Sequence, residues 1–306
     1  MQLNRAIMKQ TVNTIVSLAE YINAIEGIQW RLKQEPIPKR LYFRGQGSVR
    51  YELLPSLARQ LSGPNNLSFG FEKRIVEYVE EAFPEVFREI GNPLDKLAFL
   101  QHHGAPTRLL DITASSLVAL FFAVENCSDE DGEVLVFSPV DRESERYPMD
   151  MAIADSYRMI RGSIDSLDLF FNRVKLQDYF VEHLDLVESV IGNNGGGSWV
   201  ADCCASPLFV HSFYHSQRQK TQQSSFILFP NDVNTKNPQR KYFQENISPL
   251  PKDDDVIAAR IVIPGDMKQN ILSELALAGI SKTVLFSDSI DIVCGEVGKI
   301  AKEHTI

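Results

Sequence analysis

Apolar residues recur every three or four positions along several stretches of this chain, which is the spacing of an amphipathic helix. The spacing predicts helices over residues 11–25, 68–82, 94–102, 115–126, 167–183, 265–277 and 288–301. Gly27 and Gly104 stand where the first and third of these helices should end. Residues 117–124 are apolar on every side, so we expect the fourth helix to be buried all round.

Shorter runs rich in β-branched and aromatic residues predict extended segments between these helices. The strand candidates lie at 41–43, 133–138, 225–229, 257–263 and 283–286, and residues 107–110 are either extended or turn-like. The glycines at 195–197 and the polar stretch 231–251 are typical of loops. Helices and strands do not alternate as βαβ units, so the pattern favours an α+β fold with a mixed sheet core and surrounding helices. We expect one domain over 1–306, its core at about 38–290, with the helix 11–25 packed on it.

Composition narrows the class of protein. The 306 residues are 44% hydrophobic and 23% charged with a net charge of −9, which indicates a globular protein and argues against non-specific nucleic-acid binding. The first ten residues have no apolar run after their charges, and the apolar run 117–124 is too short to cross a bilayer. We therefore expect a cytoplasmic protein without a signal peptide, and its four cysteines suit a reducing compartment.

Standard phosphate and metal signatures give little support. The sequence has no P-loop and no dinucleotide-binding glycine motif, and 195–197 lacks the strand-to-helix context of a phosphate cradle. A zinc site would have to use Cys203, Cys204, His211 and His215. The histidines are four apart, as on one helical face, but adjacent cysteines fit no standard zinc pattern. We expect no metal here, and interpret these residues as two buried cysteines and two partly exposed histidines.

Three short segments carry candidate binding chemistry. Arg44 follows an apolar strand and precedes Gly45, which suits anion recognition, although an ion pair with an acidic residue is an alternative. His102 ends a helix, where it either caps carbonyl groups or makes a polar or acid–base contact. Arg108 and Asp111 lie three apart in an apolar context, and they either pair with each other, cap backbone groups or contribute to a site.

Two motifs resemble those of the FRG domain family. The segment YFRGQ at 42–46 resembles the motif that names the family, and QHHGAPTRLLDIT at 101–113, followed by ALFFA at 119–123, resembles its longer pattern. Ile112 stands where the family usually has Trp, and Ser115-Ser116 stand where it has Asn-Pro. These departures affect packing and helix capping more than charge. Weaker likenesses lie at 54–59, 218–226 and 261–286, the last resembling a closing strand–helix–strand.

The chain also resembles arginine-type ADP-ribosyltransferases, more faintly. Arg44-Gly45 matches their strand-borne arginine, and Asp111-Ile112-Thr113 stands where these enzymes carry Ser-Thr-Ser. Gln222-Gln223-Ser224, before an apolar strand, stands in the place of their glutamate motif. Because a glutamine cannot act as a base, transfer would need another carboxylate, Glu52 or Asp111, or the activity would be lost.

This resemblance implies an ADP-ribosyltransferase-like core that binds NAD or a related nucleotide. The catalytic residues it implies are Arg44, His102, Asp111 and Gln222. The nucleotide contacts it implies are Arg44, Gly45, Gln46, Arg108, Thr113 and Gln223. The implied function is modification of a macromolecular acceptor, in a toxin or phage-defence setting. The alternative is a non-catalytic nucleotide- or nucleic-acid-sensing module, while a metal-dependent nuclease is disfavoured because few carboxylates cluster.

Overall fold

The computed structural model describes residues 11–33, 40–60, 68–126, 129–139, 148–161, 165–192, 195–212, 216–237, 241–290 and 292–296. Its strands are β1 (Thr11–Thr14), β2 (Tyr42–Gln46), β3 (Leu109–Thr113), β4 (Gly132–Phe137), β5 (Leu208–Val210), β6 (Ser224–Leu228), β7 (Val233–Asn234), β8 (Tyr242–Phe243) and β9 (Ile257–Ile263). Seven of them form one mixed sheet in the order β1-β9-β4-β2-β3-β6-β5, and β7 pairs with β8. The β1–β9 pair is parallel and the other neighbours are antiparallel.

Helices surround this sheet. They are α1 (Leu18–Lys33), α2 (Ser56–Gln60), α3 (Ser68–Ala82), α4 (Pro84–Glu89), α5 (Pro93–His102), α6 (Ser116–Val124), α7 (Met149–Ala154), α8 (Ser156–Met159), α9 (Leu167–Val174), α10 (Asp178–Val181), α11 (Leu184–Ile191), α12 (Gly196–Cys203), α13 (Gln217–Thr221), α14 (Lys268–Leu277) and α15 (Lys282–Leu285). The predicted α+β class with a mixed sheet core is confirmed. No helix among the described residues has the length and apolarity needed to cross a membrane.

Two separate helical layers cover one face of the sheet. One layer, with α1, α6 and α14, packs on β2, β4 and β9 through a cluster that includes Phe43, Val134 and Ile261. The other, with α5, α7, α9 and α12, packs on β3, β5 and β6 through a cluster that includes Leu109 and Phe226. Because side chains alternate along a strand, the residues between these positions face a third cluster on the opposite side of the sheet. The two layers therefore meet above the boundary between β2 and β3.

The sheet is loosely joined at this boundary. Strand β2 pairs with β4 at five positions, and β3 pairs with β6 at five, but β2 and β3 share the single pair Phe43–Thr113. Beyond that pair the two strands diverge, so that Arg44 and Asp111 lie on opposite edges of a gap. We call this gap, between 44–46 of β2 and 110–112 of β3, the seam.

Helix α6 lies unusually close to β2 and β4. A Cβ atom at Gly45 would lie 1.8 Å from the Ala119 carbonyl oxygen, and one at Gly132 would lie 2.3 Å from that of Ala123. The close approach therefore requires both glycines and is helped by the small alanines of α6. Ser115 caps the helix by accepting from the Val118 N–H at 3.4 Å, and most of its residues are buried, as the apolar run predicted.

The N-terminal segment differs from its prediction. Residues 11–14 are strand β1, which pairs with 259–262 of β9, and the helix starts only at Leu18. It continues through Gly27 to Lys33 because Ile28 and Leu32 extend its buried stripe. The helix predicted over 11–25 was therefore wrong at both ends.

Three further segments also differ. The predicted helix 167–183 is two helices, α9 and α10, and the polar stretch 231–251 contains the hairpin β7–β8. The predicted strand 283–286 is helix α15, whose Leu285 is buried in the same cluster as α6 while Val284 is exposed, so the chain closes as strand–helix–helix. In 288–301, the described residues 290 and 292–296 are helical.

The glycines at 195–197 begin helix α12 and are not a loop. Gly195 has φ of +79°, and the Phe171 ring occupies the space that a Cβ at Gly196 would need. The Gly197 N–H donates to the Asp168 carboxylate at 2.8 Å. A carboxylate of the chain itself thus occupies this helix start.

Candidate functional site

A cavity of about 330 Å³ opens at the seam, between the two helical layers. Its apolar lining residues are Phe43, Ala98, Ile112, Val118, Phe122 and Phe226. The polar side chains around it are those of Arg44, Gln46, Tyr51, Gln101, His102, Asp111, Thr113, Arg218, Gln219, Gln222 and Ser224. A site with one apolar wall and convergent polar groups is the usual form of a small-molecule pocket. We call it the larger cavity, because a smaller one adjoins it at Arg44.

Arg44 spans the seam. Its Nη1 donates to the Asp111 carbonyl oxygen at 2.5 Å, so that it connects β2 to β3 where their backbones have separated. Its Nε is buried and has no hydrogen-bond partner among the described residues. Burial lowers the pKa of the Arg44 guanidinium to about 10, against the raising effect of Asp111 and with a further lowering by Arg59. The group is still a cation at neutral pH.

A chain of hydrogen bonds positions the Asp111 carboxylate. Gln101 Nε2 donates to Asp111 Oδ1 at 2.8 Å. The Thr107 hydroxyl donates to Gln101 Oε1, and Thr107 Oγ1 accepts from the Leu109 N–H at 3.2 Å. Thr107 thereby fixes the amide of Gln101 with its NH₂ group towards Asp111. Asp111 is exposed at the cavity, and it is the one carboxylate among the described residues that line it.

His102 ends α5 and lines the same cavity. Its Nδ1 lies 3.4 Å from the Ser216 hydroxyl. Partial burial lowers the pKa of His102, and the neighbouring His103 and Arg218 lower it further, while Asp288 acts in the opposite direction. His102 is therefore a neutral imidazole at pH 7.

The 222–224 segment reaches the cavity but its amide groups have structural partners. Gln222 Nε2 donates to the Leu285 carbonyl oxygen at 3.1 Å, and the Gln222 carbonyl accepts from the Thr113 hydroxyl at 2.6 Å. Gln223 is exposed, has φ of +48° and does not line the cavity. Gln222 and Thr113 thus line the cavity while connecting β3 to α13 and α15.

Gly45 and Gln46 lie on the β2 side. Gly45 lines the cavity, but its missing side chain is explained by the contact with α6. Gln46 is buried, and with its amide nitrogen towards Glu133 it donates to Glu133 Oε1 and to the Tyr51 carbonyl, both at 3.2 Å. Glu52 is exposed and does not line the cavity.

Arg108 lies away from both sides of the seam. It is fully buried, with Nε donating to Glu72 Oε1 at 2.8 Å, Nη2 to the second Glu72 oxygen, and Nη1 to the Phe229 carbonyl at 3.0 Å and to Asn231 at 3.2 Å. The hypothesis that Arg108 pairs with Asp111 is therefore wrong, because Glu72 of α3 takes that place. The structure does not bring Arg108 to the cavity with Arg44.

The cysteine and histidine candidates are also separate from the cavity. Cys203 and Cys204 are buried. The two ring nitrogens of His211 lie 2.8 Å from the Tyr42 hydroxyl and 3.1 Å from that of Ser225, and His215 lies outside the described residues. Within the described part of the chain, no group of three His, Cys, Asp or Glu side chains is arranged to hold a metal ion.

Two residues of this site stand in segments that resemble the FRG family, 101–113 and 218–226, but were assigned no role from the sequence. Gln101 stands inside the QHHGAPTRLLD motif, and its place directly before His102 was the available signal. Arg218 lies on α13, lines the cavity and stacks on Phe286 with its guanidinium carbon 4.4 Å from the ring centre. With Arg218, the larger cavity has two arginines against the single carboxylate of Asp111.

Comparison with protein-family models matches residues 39–132 to the FRG domain. This range contains β2, β3 and the helices α2 to α6, and therefore both strands of the seam. Neither the curated proteins nor the solved structures give a match to this chain. The chain thus carries an FRG domain over residues 39–132, in which the Arg44 and Asp111 edges of the cavity both lie.

Proposed function

We propose that the larger cavity binds NAD or a related nucleotide and that the protein transfers ADP-ribose to a macromolecular acceptor. One observation carries the proposal: the central sheet separates between β2 and β3, and Arg44 lies in the gap between an apolar wall and a carboxylate. The faint likeness of the Arg44-Gly45 segment to ADP-ribosyltransferases agrees with that arrangement.

The apolar residues of the cavity suit the rings of a nucleotide, and its arginines suit the phosphates. Phe43, Phe122 and Phe226 offer an apolar surface for a nicotinamide or base ring. Arg44 presents a planar guanidinium to the pyrophosphate, with Arg218 as a second cation at the cavity. A cavity with two cations and one anion favours an anionic ligand in a chain whose net charge is −9.

Asp111 is the residue that we expect to act in the transfer. The bond between nicotinamide and ribose breaks with its electron pair leaving on nicotinamide, and a nucleophilic atom of the acceptor forms the new bond to the ribose carbon. Asp111 lies where it can stabilise the cationic ribose and accept the proton that the acceptor loses. Gln101 holds one oxygen of that carboxylate in place.

A second function, binding without turnover, is favoured by Gln222. Its side chain donates to the Leu285 carbonyl, and it stands where the resemblance would place the glutamate motif. A site that lacks this carboxylate could still bind a nucleotide and act as a sensing module. Asp111→Asn separates the two functions, because asparagine keeps the acceptor for Gln101 but cannot take a proton.

The test is to measure NAD binding by calorimetry and nicotinamide release by chromatography. We expect Arg44→Ala to lose binding while Arg50→Ala, whose side chain is 81% exposed and pairs with Glu130, leaves binding unchanged. Turnover lost in Asp111→Asn with binding retained supports the transferase. Binding without turnover in the unmodified protein supports the sensing module, and the absence of NAD binding refutes the transferase. Thermal melting identifies any variant that fails to fold.

The toxin or phage-defence setting is part of the same proposal. Transfer to an essential macromolecule would arrest growth of the cell that makes the enzyme. Induced expression in bacteria should therefore inhibit growth, and Asp111→Asn should restore it at equal protein level. Equal growth inhibition by both forms would argue against this role.

A further inference from the structure

A second, smaller cavity lies on the other side of Arg44. It has a volume of about 220 Å³ and is formed by α2, the end of α5 and the start of β3. Its lining residues are Arg44, Ser56, Arg59, Gln101, Gly104, Ala105, Leu109, Leu110 and Asp111. Arg44, Gln101 and Asp111 line both cavities, so the two spaces share the residue to which we assign transfer, Asp111, its positioning partner Gln101 and the pyrophosphate contact Arg44.

The described residues that line the smaller cavity include more arginines than carboxylates, and Arg59 Nη1 also donates to the Leu54 carbonyl at 2.7 Å. Arg44 and Arg59 face it with Asp111 as the single carboxylate among its described lining residues. The positive charge of Arg59 lowers the pKa of Arg44, which means that the two guanidinium groups repel each other. An anion between them would relieve this repulsion, and a doubly charged phosphate would do so most fully.

The hydrogen bonding of Arg44 also favours a bound anion. Nη1 has the Asp111 carbonyl as its partner, but the buried Nε has none among the described residues. A buried donor without an acceptor costs free energy, and because Nε is shielded from solvent, a bound anion would recover that cost only with a shift of the Arg44 side chain. The walls around it are fixed, since Ser56 both accepts from the Thr107 N–H at 3.1 Å and donates to the Thr107 carbonyl at 3.4 Å.

We propose that the smaller cavity is a second anion site that takes a phosphate monoester through Arg44 and Arg59. Calling this phosphate part of the acceptor rests on the proposed function, whereas its binding does not. The net charge of −9 repels a polyanionic nucleic-acid backbone, so that an isolated phosphate on a protein side chain is the favoured ligand. The site would select acceptors that carry a phosphate near the atom to be modified.

The experiment uses phenyl phosphate and a short phosphoserine peptide as probes, with backbone amide shifts of the isotope-labelled full chain as the readout. We expect shifts at Gly104 and Ala105 that saturate with concentration. Arg59→Gln should weaken phenyl phosphate binding by about tenfold. The matched control Arg50→Gln removes an exposed arginine next to Glu130 and should leave the affinity unchanged.

Other outcomes overturn the proposal. Shifts confined to the larger cavity, at Gly45 and Ser224, or an unchanged affinity in Arg59→Gln would refute the second site. Tighter binding of a 5′-phosphorylated oligonucleotide than of the peptide would refute the isolated phosphate as its ligand. NAD serves as the independent control: if phenyl phosphate binds at Gly104 and NAD does not bind, the second site stands and the proposed function fails.

Discussion

At the scale of single residues, Arg44 combines a structural and an electrostatic role. It replaces the missing β2–β3 pairing by donating to the Asp111 carbonyl, and it places a cation between two cavities. The carboxylate of the same Asp111 lies at both cavities and takes a hydrogen bond from Gln101. The charge balance of the site therefore depends on a few side chains whose exchange can be tested singly.

Gln101→Glu tests that balance. It places a second carboxylate where an amide now donates to Asp111 at 2.8 Å, so two negative charges would face each other beside Arg44. We expect NAD affinity measured by calorimetry to fall by about tenfold or more. Gln269→Glu makes the same charge change at an exposed position of α14 and should leave affinity unchanged. Equal affinity in both variants would show that Gln101 does not set the charge of the site.

His102 should make NAD binding pH-dependent. The pKa of this group is lowered from 6.5, so it is neutral at pH 7 and takes up a proton only as the pH falls below 6.5. The added positive charge beside Arg218 strengthens the attraction for the pyrophosphate, which does not itself titrate in this range. We expect NAD affinity to rise by about threefold from pH 7.5 to 5.5, a gain that reflects one added cation at a partly exposed site.

The control for that pH dependence is a second histidine. His102→Gln should remove the rise in affinity at low pH, whereas His183→Gln, at the start of α11 and outside both cavities, should retain it. A flat profile in the unmodified protein would mean that His102 does not face the bound anion.

The sequence predicted Arg44, His102 and Asp111 as site residues, and all three line the larger cavity. It did not predict the partner of Arg108. Tyr78 belongs to the apolar repeat of the helix predicted over 68–82, yet it is 75% exposed, whereas the charged Glu72 is 1% exposed. Glu72 is buried because it forms two contacts with Arg108, which lies 36 positions further along the chain. A local pattern cannot predict such a pair, since the cost of burying each charge is offset only once the fold brings both together.

At the scale of elements, the site depends on how closely α6 approaches β2. Gly45→Ala would place a methyl group 1.8 Å from the Ala119 carbonyl, so helix and strand would have to separate. We expect a loss of about 3 kcal/mol in the free energy of unfolding, from urea denaturation. Gly27→Ala is the matched control in α1, where no atom lies within 4 Å of the new methyl group, and it should stabilise by about 0.5–1 kcal/mol. A mild effect of Gly45→Ala would contradict the close packing described above.

Elements with strong internal patterns could be predicted, and those defined by distant contacts could not. The strand 257–263 and the helix over 68–82 match the structure because their patterns are complete in themselves. The segment 11–14 is a strand because β9 pairs with it, and 283–286 is helical although its residues favour strands. The glycines at 195–197 suggested a loop, but they serve close packing of α12 on Phe171.

At the scale of the whole molecule, the cavity exists because two helical layers cover two parts of one sheet. The apolar clusters of the two layers are separate, and β2 and β3 share one pair at the seam. No periodicity in the sequence indicates where a sheet will separate, so the FRG motifs located the site but not its form. The charge of the whole chain and the charge of the cavity differ in sign. The chain has a net charge of −9, whereas the described residues that line the larger cavity include two arginines and one carboxylate.

That contrast predicts the response of NAD binding to salt. The arginines lie within a few ångströms of a ligand in the larger cavity, whereas the excess negative charge is spread over the whole surface, so the local attraction should dominate. Because salt screens that attraction, we expect NAD affinity to fall by about threefold to tenfold between about 50 mM and 500 mM NaCl. Adenosine, which is uncharged, should bind equally at both concentrations. In Arg218→Gln the larger cavity keeps one arginine, whose charge Asp111 balances. The remaining NAD affinity should then depend little on salt or should rise as salt is added. An unmodified protein whose NAD affinity rises with salt would show that the field of the whole molecule outweighs its arginines.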